Sequence, residues 1–531
     1  MAFYPDRRRL HTASRLPCLE KHCTAADRNH AALCCPAYCG FSATQNQSAI
    51  CSYSTAQKSF KGETEVMIHP CPSWYQDAKF GLFFHWGPYC VPAYRNEWYS
   101  RNMYATHTEQ SRYHVAHYGP LSRFGYKDFI PLFTGEAFDP DAWADLAILS
   151  GARYAGPVSE HADNYSLWDS LVNPVNSVRT GPHRDVVGEC FKAFRSRGLR
   201  TLATFHHQWL WGWFMSTDPE ADVYDPANEV YYGPALPLET NRYAPYRLPD
   251  ASFCTMWRDK ILEVVNGYAP DVMYFDSRAN IIPASYKEEV IQQYYDRVPS
   301  GILTYKQEDF PAEAGVLDLE CGRFAESAGH PWQTDDRLED QVTWCITQNP
   351  TYKKASRVLQ QLADVVSKNG NLLLNVGPQA DGSFHPDAVR ELTQIGNWLR
   401  DWGEAIYDTR PYRCFGEGPT QILESDFNQK KINEQLQTGV AKEETIGEMT
   451  SRDIRYTYKA PYLYAIVMRW PEDGRVRLQV PVREAFSIRS ISLLKDSVPL
   501  AYHLYPEYVE VVLPSDFPAT EDPIVLKISG Q

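Results

Sequence analysis

From about residue 65 the chain alternates short apolar runs with amphipathic stretches of helical period. The apolar runs are "FGLFFHWG" (80–87), "YAGPVSEH" (154–161), "RTLATFHH" (200–207), "DVMYFDS" (271–277), "GILTYKQ" (301–307), "GVLDLE" (315–320) and "NLLLNVGP" (371–378). Runs this short, bounded by turn residues, predict buried strands. The stretches between them carry helix punctuation. Asp139 caps and Pro140 opens one helix, which stops at Gly151. A second, over 184–198, ends at Gly198. A third, over 356–370, puts Val358, Leu359, Leu362, Val365 and Val366 on one face and ends at Gly370.

Repeated strand–helix units predict an α/β fold, a closed (β/α)8-like TIM barrel. An open doubly wound sheet would carry a Gly-rich loop after its first strand. That strand here ends in "HWGPY". The barrel is expected over 63–405. Residues 1–62 show no sustained period and read as a poorly ordered N-terminal extension. After about 405 the pattern becomes purely β. "YLYAIVMRWPEDGRVRLQV" (462–480) predicts a hairpin turning at Glu472-Asp473-Gly474, and "YVEVVLP" (508–514) and "IVLKI" (524–528) continue it. A C-terminal antiparallel β-sandwich is expected over 406–531. One long aperiodic stretch, 216–250, carries six prolines and follows the "TFHH" run. It predicts an ordered roof over the same face.

The strands end on ionisable residues: His85, Glu160 and His161, His206 and His207, Asp276, and Glu320. In a (β/α) barrel these ends share one face, where active sites are built. One such histidine reads as structural; five strands ending this way read as a pocket. An isolated carboxylate closing "DVMYFDS" is costly unless paired or at work. Two carboxylates from different strand ends suit glycoside hydrolysis, and Asp276 with Glu320 is the best pair. The histidines would bind sugar hydroxyls, with Trp98 as a stacking surface. Aromatic residues are 13% of the chain, with 14 Trp and 34 Tyr, which suits such stacking or simply a large core. Metal binding competes, because His and carboxylates are also what zinc or iron takes. No H-x-x-x-H or H-x-H spacing supports it, so no metal and no cofactor is assigned.

Composition narrows the partners. The 531 residues carry a net charge of −14, so no basic field exists for nucleic acid or an anionic membrane. No apolar run is long enough for a transmembrane helix, and no signal peptide is visible. Thirteen Cys, seven of them at or before Cys71, form no regular disulfide framework. Cys18 and Cys23 with His22 or His30 fit no standard zinc spacing.

Five stretches carry a resemblance. They are "WYQDAKFGLFFHWGPYCVPAYRNEWY" (74–99), "EHADNYSLWDS" (160–170), "GPHRDVVGECFKAFRSRGLR" (181–200), "PDVMYFDS" (270–277) and "SKNGNLLLNVGPQADG" (367–382). In content and order the chain resembles the α-L-fucosidases of glycoside hydrolase family 29. The resemblance implies a (β/α) barrel followed by a β-sandwich, and an exo-acting, retaining, metal-free enzyme. Such an enzyme releases terminal α-L-fucose from a fucosylated oligosaccharide or glycoconjugate. It implies Asp276 as nucleophile and His85, Glu97, Trp98 and His161 in the sugar pocket, with His206 or His207 added from the "TFHH" strand. Glu320 is the chosen acid/base, with Glu313, Glu326, Asp335 and Asp336 as alternatives. Family members follow a secretory or lysosome-like route.

Two positions depart from the family pattern. Ala162 stands where a second His is common, and Ser277 where Gly is usual. They motivate two competing readings: a fucose-binding protein without catalysis, and a retaining glycosidase for a related sugar such as an α-L-galactoside. Two sequons occur, at Asn46 and Asn164. Asn164 is expected unmodified because it lies in the pocket loop.

Overall fold

A computed structural model describes residues 69–236, 247–420 and 449–530. The expected N-terminal extension, the Cys18–Cys23 region and the Asn46 sequon lie outside the described residues. Eight parallel strands close a barrel in sequence order: β1 (Phe80–Phe84), β2 (Tyr154–Glu160), β3 (Arg200–Phe205), β4 (Val272–Phe275), β5 (Ile302–Lys306), β6 (Val316–Asp318), β7 (Trp332–Arg337) and β8 (Gly370–Asn375). All seven sequence-predicted strands are present. The eighth, β7, was not predicted.

Alternation along each strand divides two apolar sets. Phe83, Tyr154, Leu202, Val272, Tyr274, Ile302, Val316 and Leu373 pack together inside the barrel. Phe80, Leu82, Phe84, Phe205, Met273, Phe275 and Leu303 belong to the surrounding layer, packed with the helices. The short helix Ser73–Ala78 supplies Tyr75, which packs with the interior set. The Tyr75 hydroxyl donates to Gln333 Oε1 at 2.6 Å, and Gln333 Nε2 donates to Asp318 Oδ2 at 2.5 Å.

The outer helices follow their punctuation. Pro140–Leu149 is capped by Asp139, whose carboxylate accepts from the N–H groups of Asp141 and Ala142. Val186–Ser196 is followed by Gly198 at φ 79°. Ala355–Ser367 ends differently from expectation. The left-handed residue is Asn369 (φ 75°), and Gly370 already opens β8. A side chain at Gly370 would meet Trp332 at 2.6 Å, so its role is close packing. Helices Ala251–Tyr268 and Ala284–Arg297 fill the β3–β4 and β4–β5 crossovers, and Pro386–Trp402 follows β8. The crossovers β5–β6 and β6–β7 carry only a 3-10 turn, Ala312–Ala314, and a helix-free loop.

Beyond the barrel lie β9 (Arg410–Glu417), β10 (Ile454–Lys459), β11 (Tyr462–Val467), β12 (Arg475–Leu478), β13 (Ile488–Leu493), β14 (Val498–Pro499), β15 (Ala501–Leu504), β16 (Val509–Val512) and β17 (Ile524–Gly530). They form two antiparallel sheets, ordered β14-β13-β17-β11-β10-β9 and β12-β16-β15. The predicted 462–480 hairpin is therefore corrected. β11 pairs with β10 and β17, whereas β12 pairs with β16 in the other sheet. The turn at 472–474 is a crossing between sheets, and local alternation cannot distinguish that from a hairpin.

One buried charge cluster joins the barrel to the first sheet. Asp364, on Ala355–Ser367, accepts from Arg455 Nε of β10 at 2.6 Å and pairs with Lys368 Nζ at 3.1 Å. Asp364→Ala leaves those cations buried without their carboxylate. The expected loss is about 3–5 kcal/mol of unfolding free energy in urea titrations. A loss below about 1 kcal/mol would show that the cluster is not a structural tie.

Candidate functional site

The interior register decides which strand-end side chains meet. Two residues beyond an inward-facing side chain, the next one faces inward as well. Phe83 leads to His85, Leu202 through Thr204 to His206, and Tyr274 to Asp276. Likewise Ile302 leads through Thr304 to Lys306, and Leu373 to Asn375. Strand β2 breaks the count. Its ladder to β3 shifts between Val158 and Glu160, because Val158 opposes Thr204 while Glu160 opposes Phe205. One extra residue on one strand is a β-bulge. It turns Glu160 toward the outer layer and His161 inward.

The consequences are visible in the partners. Glu160 is fully buried and pairs with Lys260 Nζ of Ala251–Tyr268 at 2.6 Å. The same ammonium donates to Asn164 Oδ1 at 2.7 Å. Asn164 Nδ2 donates to the carbonyls of Val230 and Tyr231, each at 3.1 Å, tying the 216–236 stretch to the loop after β2. Both ends of this buried amide are engaged, which leaves no room for a glycan on Asn164.

His85, His161 and His206 are buried. Their ring centroids are 5.0–5.6 Å apart. His85 Nδ1 faces Asn375 Oδ1 at 2.7 Å. That oxygen only accepts, so the proton sits on Nδ1 and Nε2 is left as an acceptor. His161 Nδ1 and His206 Nε2 have no partner among the described residues. Burial, and then the neighbouring His206, hold the His85 and His161 rings well below the ordinary imidazole value. Three imidazole nitrogens within 4.8 Å of one another suit a zinc-class ion as well as the hydroxyls of a ligand.

Asp276 lies beside them. His206 Nδ1 is 3.3 Å from its Oδ2, and Lys306 Nζ is 3.3 Å from its Oδ1. Burial alone would raise this carboxyl. Lys306, with the hydrogen bond from His206, reverses that and holds it below the usual carboxylate range. Glu320, in the loop after β6, accepts from the same Lys306 Nζ at 2.8 Å. Burial raises Glu320, with Asp335 and Asp276 adding to the rise against Lys306. Asp335, inside β7, is 3.1 Å from Lys306 Nζ and accepts from the Tyr274 hydroxyl at 2.9 Å.

Glu97 Oε2 accepts from the Trp344 N–H at 2.9 Å, and burial pushes this carboxyl up to about 7. Trp344 in turn packs 5.5 Å from the His85 ring. Trp98 packs on Trp213 and Trp209, at 4.7 and 5.5 Å between ring centroids. The cluster therefore gathers His85, His161, His206, Asp276 and Glu320, with Glu97 joined through Trp344.

His207 is not part of it. Alternation sends its ring to the outer layer, where Nε2 bonds the Trp257 carbonyl at 3.0 Å. Of the other acid/base candidates, Asp335 shares the Lys306 ammonium with Asp276 and Glu320, and the other three lie elsewhere. Glu313 precedes β6, at the opposite end of the barrel, and Glu326 is exposed. Asp336 points away from Asp335 and pairs with Lys353 at 2.8 Å. Sequence reasoning missed Lys306, Asn375 and Tyr274. Lys306 closes the predicted run "GILTYKQ", so it had the same strand-end signal as Asp276.

With this geometry in place, comparisons with known proteins add independent information. Residues 46–404 match the family model described as "Alpha-L-fucosidase", and residues 447–529 match "Alpha-L-fucosidase C-terminal domain". The chain is 30% identical over 428 residues to the tissue alpha-L-fucosidase of Rattus norvegicus, covering 78% of this chain and 79% of that protein. It is 26% identical to the plasma alpha-L-fucosidase of Homo sapiens, covering 81% and 82%. In fold it is similar to the Thermotoga maritima alpha-fucosidase crystallised with fucose. That likeness has a TM-score of 0.66 and 24% identity, covering 87% of this chain and 97% of that one.

The displaced histidine gives a test. Burial lowers His207 to about 4, while the unfolded ring titrates near about 6.5. Between those values the unfolded chain binds the extra proton, so stability falls as pH falls. From pH 7 to pH 5 the wild type should lose about 2 kcal/mol more than His207→Gln, measured by urea unfolding. Equal losses would put His207 in contact with solvent.

Proposed function

The chain belongs to the α-L-fucosidase family of glycoside hydrolases, and from that premise we propose that it removes terminal α-L-fucose with retention of configuration, using Asp276 as nucleophile and Glu320 as acid/base. The observation that carries the reading is the shared ammonium between the two carboxylates. Lys306 Nζ lies 3.3 Å from Asp276 Oδ1 and 2.8 Å from Glu320 Oε2. Those two oxygens are therefore no more than about 6 Å apart, which agrees with the roughly 5–5.5 Å of retaining enzymes rather than the wider inverting spacing.

The two carboxyls differ in the sense that the reaction needs. Asp276 is ionised over the working range and has an electron pair to give. Glu320 is raised above the usual carboxylate range, the direction a proton donor needs. In the first step an Asp276 oxygen bonds the anomeric carbon. The bond to the leaving oxygen breaks, and that oxygen takes the Glu320 proton. In the second step Glu320 takes a proton from water. The water oxygen bonds the anomeric carbon, and the electron pair returns to Asp276.

The neutral rings of His85 and His161, and the uncommitted Nε2 of His206, offer donors and acceptors to sugar hydroxyls. Ala162 is buried without a polar group. His206, from the next strand, stands 5.0 Å from the His161 ring and supplies an imidazole on that side. Trp98, packed on Trp209 and Trp213, supplies the apolar wall.

The test is hydrolysis of an aryl α-L-fucoside. Wild type should release nitrophenol, and early product by NMR should be the α-anomer of fucose. Asp276→Ala should lower kcat by about 10⁴-fold or more, within the range seen when a covalent nucleophile is removed. Glu320→Gln should slow substrates with poor leaving groups far more than activated ones, because only the former need the proton. Fucose that stabilises the wild type against heat while no fucoside turns over would make this a binding protein instead.

A further inference from the structure

Lys306 has no assigned role, yet it is the most highly connected charge in the pocket. Its side chain is 3% exposed. Its Nζ contacts Asp276 Oδ1 at 3.3 Å, Glu320 Oε2 at 2.8 Å and Asp335 Oδ2 at 3.1 Å. An ammonium has three N–H donors, and three carboxylates from three segments use them. Asp335 is fixed from its other side. The Tyr274 hydroxyl donates to the same Oδ2 at 2.9 Å, and the Tyr274 ring lies 5.5 Å from Nζ. The other titratable groups facing this centre are His206 just after β3, Asp318 from β6 and, toward Glu320, Cys321 beside it and Glu97 from the loop after β1.

We propose that Lys306 is a positioning residue that shares its charge between Asp276 and Glu320 in the free enzyme and transfers it to Glu320 during turnover, with Asp335 and Tyr274 as its fixed anchor. The proposal rests on the nucleophile and acid/base reading above. When Asp276 becomes a glycosyl ester it loses its negative charge. The ammonium then has only Glu320 and Asp335 to balance it. Glu320 has just given up its proton, and the ammonium 2.8 Å away stabilises the resulting carboxylate. That carboxylate is the base that the second step requires. When Asp276 departs, its charge returns, the ammonium is shared again, and Glu320 keeps the proton taken from water. Buried and held by Asp335, the ammonium needs no movement to do this. The fixed charge favours the base form of Glu320 throughout; the Asp276 charge, present before the first step and lost in the ester, opposes it only while the acid form is needed.

Two substitutions should move the pH profile of kcat/KM in opposite directions. Lys306→Met removes the charge, so both limbs should move upward by about 1–3 pH units. Nitrophenol should also appear in a burst, because loss of the base form slows the second step more than the first. Lys306→Arg should restore the limbs. Asp335→Asn removes a competing carboxylate, so the basic limb should move downward. A merely structural lysine would lower the rate and leave the limbs in place, and that result would overturn the proposal. If Lys306→Met does not fold, as judged by circular dichroism, the Asp335→Asn limb decides alone. A limb that stays or rises overturns the proposal. Both variants are read beside Asp276→Ala. An active Asp276→Ala enzyme would remove the reading beneath the proposal. An inactive one, with unmoved limbs in the other variants, would remove the proposal alone.

Discussion

Everything at the site depends on the inward face of the barrel. A parallel strand offers every second side chain to the interior, and in a barrel all eight interiors are one space. The lower part of that space is filled by Phe83, Tyr154, Leu202, Val272, Tyr274, Ile302, Val316 and Leu373. The packing leaves no freedom of register, because a slip of one residue would exchange these side chains for those packed against the helices. Once they are fixed, the next inward positions are His85, His206, Asp276, Lys306 and Asn375. The bulge at Val158–Glu160 is the one adjustment. Without it, Glu160 would add a further carboxylate to the pocket and His161 would be outside. With it, Glu160 is neutralised by Lys260 in the outer layer.

The second constraint is electrostatic. Asp276, Glu320 and Asp335 lie within reach of one ammonium in a nearly closed space. Three ionised carboxylates there would repel one another strongly, and the surroundings push Asp276 and Glu320 in opposite directions. Asp276 has two cationic or hydrogen-donating neighbours, Lys306 and His206, and stays ionised. Glu320 is buried, has one such neighbour and two like charges nearby, and is raised instead. The surrounding walls sharpen the split, because Trp344 and Tyr274 lie 5.9 and 5.5 Å from the ammonium and exclude water from its sides. The neutral histidines add hydrogen-bonding capacity without adding charge.

Where periodicity reported on burial, the residues were informative. The runs ending at His85, His206 and Asp276 are apolar because both faces of a barrel strand are covered, and their ends stand out against that background. β7 was invisible for the opposite reason. Its residues, "WQTDDR", are nearly all polar, because Gln333 and Asp335 satisfy buried partners on the inside and Asp336 pairs with Lys353. A strand stabilised by polar pairs looks like a loop in one dimension. His206 and His207 could be separated in principle by alternation, but only after the phase of the strand was known. The β11–β12 segment failed because sheet membership is a long-range property. β11 lies between β10 and the much later β17, and β12 pairs with β16 in the other sheet.

The uneven helix layer accounts for where Glu320 sits. Six of the eight strands end where a regular helix or a long structured loop follows. β6 is three residues long and is joined to β7 by a single register pair, Asp318 with Gln333. With no helix in the β6–β7 crossover, the chain rises from the barrel rim immediately after Asp318. Cys321 adopts a left-handed conformation (φ 49°) just beyond Glu320, its backbone N–H bonded to the Asp335 carbonyl at 2.8 Å. A helix there would have carried the chain outward and away from Asp276. The irregular segment bends it back over the pocket instead, and the carboxylate it delivers is held by a strand residue, Lys306. A carboxylate at the end of a regular strand is thus combined with a second carboxylate on an irregular loop. The ammonium joins their geometries, because Lys306 Nζ contacts both carboxylates, at 3.3 and 2.8 Å.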